Sequence, residues 1–173
     1  MIDCLIPCRE HGSDHLIQLI RSLEMQEAET NVLVQFSEGE PLFETRNLLL
    51  RRSKGDYVYY VDADDWLPSR QALPKLLETV VDDFAWGDFE AYLTPLDKYI
   101  HVSQSTMTKL ACGSWLARRE SFEFDPWEPD PLEPHRSNWT MPEEWVGAYV
   151  EFPIFQYRVA WSSSQLTNNI VDQ

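Results

Sequence analysis

The feature that most constrains this chain is an apolar run that breaks abruptly into carboxylates: Tyr57-Val58-Tyr59-Tyr60-Val61 is followed at once by Asp62-Ala63-Asp64-Asp65. Aromatic and β-branched residues without polar alternation suit a strand covered on both faces, as in the middle of a parallel sheet. Such a strand needs neighbours of its own kind, and two lie upstream. Ile2 to Pro7 is a short apolar run, followed by a polar stretch and then by Leu16, Ile17, Leu19, Ile20 and Leu23 at helical spacing. Asn31 to Phe36 reads as a second strand, Ser37 to Pro41 as its loop and Leu42 to Ser53 as a second helix. Lys54-Gly55-Asp56 is the turn that leads into the aromatic strand. A third helix follows on Leu73, Leu76, Leu77, Val80 and Val81, with Ser69 placed to cap it and Pro74 early enough to be tolerated.

Strands alternating with helices imply right-handed crossovers, an α/β fold and a mostly parallel sheet whose ligand crevice lies beyond the carboxyl ends of its strands. The three polar loops, Cys8 to Ser13, Ser37 to Pro41 and Asp62 to Asp65, all fall on that edge, which places a nucleotide there. After about residue 84 the alternation fades. Asp125 to Pro142 carries five of the eleven prolines and reads as a loop, and Ala148 to Trp161 regains strand character.

The whole chain narrows the classes further. Its 173 residues suit a single domain. A net charge of −15 repels phosphate polymers and acidic membranes, so binding to duplexes by charge is excluded. No apolar run approaches the roughly 20 residues of a membrane-spanning helix, and the first residues lack the pattern of a signal peptide. Cys4, Cys8 and Cys112 are too few and odd in number for a disulfide framework, which points to reduced thiols and the cytoplasm.

On an extended strand Asp62 and Asp64 project to the same side. Two such carboxylates repel unless a magnesium or manganese ion neutralises both and bridges to diphosphate oxygens. A solvated turn at a strand end is the plain alternative; the position at the ligand edge favours the metal. Cys4, Cys8, His11 and His15 superficially suggest zinc, but the spacing from Cys8 to His11 is too tight for a chelating hairpin, and buried thiols with surface imidazoles explain them.

Order and spacing together carry a resemblance. Glu44-Thr45-Arg46-Asn47, Lys54-Gly55-Asp56-Tyr57 and Val61-Asp62-Ala63-Asp64-Asp65-Trp66 resemble the inverting family-two GT-A glycosyltransferases, in which an ARN segment opens a helix, GDY starts a strand and DADD ends it. Leu5-Ile6-Pro7 is similar to that family's first strand, and Phe155-Gln156-Tyr157-Arg158 with Ser162 to Ser164 to its late YR segment. The resemblance implies a GT-A, Rossmann-like single domain over 1–173, with a mixed, mostly parallel sheet flanked by helices. Residues 1–83 would form the nucleotide-sugar and metal half and 84–173 an abbreviated acceptor half.

By the same resemblance Pro7, Arg9 and Glu38 line the nucleoside pocket, Arg46 lies near the nucleotide, and Asp62 and Asp64 hold ribose and a Mn2+ or Mg2+ ion. Ser37-Glu38-Gly39 departs from the family's paired aspartates, so no uridine specificity follows. Glu143-Glu144-Trp145 resembles the family's ED pair, which makes Glu144 first and Glu143 second as catalytic base. Trp115, Arg118, Arg119 and Trp145 become candidates for acceptor or diphosphate contact. The implied reaction is metal-dependent, inverting transfer from a nucleoside diphosphate sugar to a hydroxyl acceptor, whether a saccharide, a lipid-linked glycan or a modified base. Two alternatives remain: a catalytically reduced nucleotide-sugar-binding module, and a sugar-phosphate nucleotidyltransferase, which Cys8 to Gly12 serves poorly for want of a Gly-rich basic loop.

Overall fold

A computed structural model describes residues 1–9, 13–93, 97–106, 110–122, 125–129, 137–139 and 142–159. The first half follows the alternation in the sequence: β1 (Ile2–Arg9), α1 (Ser13–Glu24), β2 (Thr30–Ser37), α2 (Leu42–Arg52), β3 (Tyr57–Tyr60) and α3 (Ala72–Thr79). The second half is almost entirely strand: β4 (Phe84–Leu93), β5 (Lys98–Val102), β6 (Trp115–Arg118), β7 (Trp127–Pro129), β8 (Ser137–Trp139) and β9 (Gly147–Val159).

One seven-stranded sheet runs β2-β1-β3-β6-β4-β5, with β9 joined to the other side of β4. The β1–β2 and β1–β3 pairs are parallel, β6 is antiparallel to both β3 and β4, and β9 is parallel to β4. Five strands therefore share a direction, while β5 and β6 oppose it. The sheet is mixed, mostly parallel and flanked by helices, as expected.

Period-two alternation along β3 assigns its side chains to two cores. Tyr59 and the following Val61 face α1 and α3, packing with Leu19, Leu23, Leu73 and Leu76. Val58 and Tyr60 face α2, packing with Leu49, Leu50, Trp115 and Trp127. The α2–β3 turn is tied to β1 by one buried carboxylate: Asp3 accepts from the backbone N–H of Lys54 at 2.6 Å and of Gly55 at 2.7 Å. Residue 55 must be glycine here, because a Cβ would sit 3.0 Å from the Asp3 carboxyl carbon.

Three local expectations need correction. Ser69 does not cap α3; its hydroxyl accepts from the Gln71 N–H one turn too early, and Gln71 occupies the cap position without a side-chain bond. The stretch read as a loop over 125–142 holds a two-stranded sheet, in which Trp127 pairs with Trp139. The faded region after residue 84 contains β4, a ten-residue strand central to the sheet. His11, Trp161 and Ser162 to Ser164 lie outside the described residues.

Candidate functional site

The carboxyl ends of β1, β2 and β3 lie side by side, because Cys8 pairs with Phe36, Arg9 with Ser37, and Leu5 with Tyr60. Pro7 is buried within β1 at this edge. The side chain of Arg9 lies outside the described set. Glu38 is exposed, and its backbone N–H bonds to the Glu40 carboxylate at 2.7 Å.

The acidic turn after β3 is held differently at each of its three carboxylates. Asp62 accepts from Arg46 Nη2 through its Oδ1, at 2.5 Å. Arg46 itself is only 4% exposed. Asp64 keeps one side toward solvent while the protein crowds the other. That desolvation, and next the charge of Asp62, push its pKa above the ordinary value, while His15 on α1 and Arg158 on β9 draw it partway back. Asp65 is 1% exposed, and among the described residues neither of its oxygens meets a donor in full hydrogen-bonding geometry. The Arg158 backbone N–H gives it only partial relief, so burial, then Asp62 and Asp64, push its pKa well above the usual carboxylate range.

Three carboxylates thus share one turn, and the buried Arg46 guanidinium bonds to one of them, Asp62. That excess of negative charge fits a cation, and an all-oxygen donor set suits magnesium or manganese rather than zinc. Among the described residues no three His, Cys, Asp or Glu side chains converge on one point. A protein contribution of one or two carboxylates is the usual pattern for magnesium, whose remaining positions go to water and to substrate phosphates.

The carboxyl edge also collects residues from later in the chain. Cys112 Sγ lies 3.6 Å from Arg46 Nη2. Gly113, with φ at +89°, brings the chain into β6 over Phe155, where a Cβ would come within 2.9 Å of the ring, and its carbonyl accepts from Tyr59 Oη at 2.7 Å. The turn is closed on its far side by a bridge between Trp66 and Gln156 of β9, and the Arg158 guanidinium lies 4.9 Å over the Trp66 ring.

The other predicted residues are not brought to this edge. Tyr57, at the start of β3, pairs with Arg118, and Phe84, at the start of β4, pairs with Gly147. Arg118, Arg119 and the segment before Gly147 therefore lie at the amino edge, roughly 15 Å from Asp62 at about 3.3 Å per residue. Arg118 sits over the Tyr57 ring at 5.6 Å and bonds to the Asp82 carbonyl, and Arg119 Nε donates to Ser53 Oγ at 2.9 Å. Glu143 and Glu144 are exposed on the same edge, with Trp145 packed against Phe122 at 4.8 Å. The structure therefore does not bring Glu144, Glu143, Arg118, Arg119 or Trp145, expected as base and as acceptor or diphosphate contacts, to the acidic turn. The physical cause is that β9 starts directly after the Glu-Glu-Trp segment, so the segment must sit where β9 begins. Trp115 is fully buried, 5.6 Å from Tyr60, and belongs to the core. A cavity of about 690 Å³ does open at the amino edge, lined in part by Asp82, Asp83, Arg118, Glu120, Glu144 and Trp145.

Two residues at the site had no sequence signal. Asp65 is one more acid in a run of three, and only burial sets it apart. Trp127 sits in a proline-rich stretch where periodicity says nothing about location, yet its ring covers Arg46, with the guanidinium carbon 4.3 Å from the ring centre.

Known proteins resemble this chain in sequence and in fold. The sequence profile described as Glycosyl transferase family 2 matches residues 11–147. TuaG of Bacillus subtilis (strain 168), a glycosyltransferase assigned to teichuronic acid biosynthesis, is 30% identical over 105 residues, which cover 57% of this chain and 39% of TuaG. The crystal structure of S. aureus TarS 1-349 superposes with a TM-score of 0.62 at 13% identity, over 91% of this chain and 60% of that one. TarS 1-349 in complex with UDP-GlcNAc gives 0.61 at 14% identity, over 94% and 59%. At such identity the likeness is one of fold. The chain spans 39% of the length of TuaG and 60% of TarS 1-349.

Proposed function

Because the chain belongs to Glycosyl transferase family 2, we propose that it transfers a sugar from a nucleoside diphosphate donor to a hydroxyl acceptor, with inversion at the anomeric carbon. The observation that carries this reading is the acidic turn: a buried, unanswered carboxylate and a half-desolvated one close a central strand at the ligand edge of the sheet. TarS structures hold UDP-GlcNAc and UDP, which makes uridine donors the first to test on this chain.

In this reading Pro7, Arg9 and Glu38, at the ends of β1 and β2, line the nucleoside pocket. Asp62, pinned by Arg46, offers its remaining oxygen to the ribose. Asp64, with Asp62 beside it, holds a Mn2+ or Mg2+ ion, whose chemistry is to neutralise charge on the departing diphosphate. The acceptor oxygen bonds to the anomeric carbon as the bond to the diphosphate oxygen breaks on the opposite face. The acceptor proton passes to a base other than Glu143 or Glu144. Cys4, Cys8 and Cys112 form no disulfide among the described residues, which suits a reducing cytoplasm. No helix among the described residues is long and apolar enough to cross a membrane.

A second reading has one observation behind it. Glu143 and Glu144 lie at the amino edge rather than beside the acidic turn, an arrangement that suits a module that binds nucleotide-sugars without turning them over. One experiment separates the two: incubation with a panel of nucleotide-sugars and Mn2+, scored for released nucleoside diphosphate and for binding. Release that disappears in Asp64→Ala supports transfer. Metal-dependent binding without release supports the module, and no binding of any donor rejects both.

A further inference from the structure

We infer that Arg46 and Asn47 latch the β7 strand onto the donor edge, which makes Trp127 a positioning residue for Asp62. The inference rests on the donor reading above, and it concerns residues that have no place in that reading as ligands of the nucleotide.

Consecutive residues on a helix point about 100° apart, so Arg46 and Asn47 of α2 cannot both face one ligand. Instead they take hold of one distant residue from two directions. The Asn47 side chain donates from Nδ2 to the Trp127 carbonyl at 2.9 Å and accepts from the Trp127 N–H at 3.1 Å, pinning the backbone of β7 as a neighbouring strand would. The Arg46 guanidinium lies under the Trp127 ring at 4.3 Å and reaches Asp62 Oδ1 at 2.5 Å. Tyr60 closes the triangle: its hydroxyl donates to the Arg46 carbonyl at 3.2 Å, and its ring meets that of Trp127 edge-on at 5.1 Å. Asn47, Arg46 and Trp127 are each no more than 5% exposed.

The consequence follows from desolvation. A guanidinium stripped of water has to be held by an aromatic face and a carboxylate, and a planar group so held has one orientation. That orientation fixes Asp62, whose position would otherwise answer to repulsion from Asp64 and Asp65. Without the Trp127 ring, water reaches the guanidinium, the pair with Asp62 loosens, and the nucleoside meets a carboxylate that is no longer preset. The donor site formed by residues 1–83 is therefore completed by a residue from beyond them.

The test uses the full chain and the nucleoside diphosphate, among UDP, GDP and ADP with Mn2+, that the unaltered protein binds best. Isothermal titration gives Kd, and circular dichroism gives the fold and Tm. Trp127→Leu is expected to weaken binding about tenfold. Trp127→Phe, which restores an aromatic face, should stay within about threefold. Trp86→Leu, which removes a partly buried indole on β4, separated from β3 by β6, should lower Tm while leaving Kd unchanged. Arg46→Lys keeps the charge but loses the plane, and combined with Trp127→Leu it should cost no more than the worse single change. Equal Kd for Trp127→Leu and the unaltered chain overturns the inference, as does an equal loss in Trp86→Leu. If Trp127→Leu does not fold, Arg46→Lys decides alone: a tenfold loss supports the latch, and an unchanged Kd overturns it. Failure of the unaltered chain to bind any of the three is a separate result, which removes the donor reading itself.

Discussion

The sheet carries an acidic cluster at each edge, and the two differ in how their charge is met. At the amino edge Asp83 accepts from Ser121 Oγ at 2.7 Å and from the Val146 N–H at 2.8 Å, while Glu120 and Glu144 stand in solvent beside Arg118. At the carboxyl edge Asp65 is sealed away with only partial relief from the Arg158 backbone N–H, and Asp64 is crowded beside it. Acidic residues at the first edge are where folding leaves them satisfied. At the second, folding leaves a deficit that a bound cation would fill.

The sharpest way to break this contrast is a paired substitution. Asp64→Ala is expected to lower sugar transfer at least about a hundredfold, whereas Glu144→Ala should leave it within about twofold. A matching loss in Glu144→Ala would restore it as the base and overturn the assignment of edges.

Stability should respond with opposite signs. Asp83→Ala removes two satisfied hydrogen bonds and should cost about 1–2 kcal/mol, while Asp65→Asn removes a carboxyl whose charged form burial penalises and should gain about 1 kcal/mol at neutral pH. Thermal melting of both variants in metal-free buffer checks the pair.

Added Mn2+ should raise the Tm of the unaltered chain, with about 1.4 kcal/mol of stabilisation at ten times its Kd, and this gain should vanish in Asp64→Ala. The amino edge predicts no such effect of its own, so a gain that survives in Asp64→Ala but not in Asp83→Ala would reverse the contrast.

The smallest effect is in the pH profile. The folded pKa of Asp65 lies above its ordinary 3.8. The native state thus binds the proton more tightly than the unfolded chain, so this group's contribution is whole below about pH 3.8 and is lost as pH rises through the folded value. Melting from pH 4 upward, without metal, should show a downward slope that flattens in Asp65→Asn.

The donor edge was legible in the sequence because its signals are local. Apolar runs closed by polar loops gave β1, β2 and β3 and their common edge, and helical spacing gave the presence of α1 and the bounds of α2 to within a residue. The later strands were less legible, since β4 mixes buried Phe84, Ala85 and Ala91 with a fully buried Asp88 whose partners, Gln104 and Tyr149, come from elsewhere in the chain. Such a strand has no clean period. Glu143-Glu144-Trp145 misled because a short motif carries its residue types but not the edge at which it ends up.

By itself the sequence determined that a parallel strand would end in carboxylates and that neighbouring strands would bring their loops beside it, because side-chain period and burial are properties of short stretches of chain. Only the tertiary structure decided which carboxylate would be sealed from solvent, which edge the Glu-Glu-Trp segment would reach, and that Trp127 would come to rest on Arg46. Those outcomes depend on contacts between residues far apart in the chain, and desolvation is a property of the assembled surroundings rather than of any residue type.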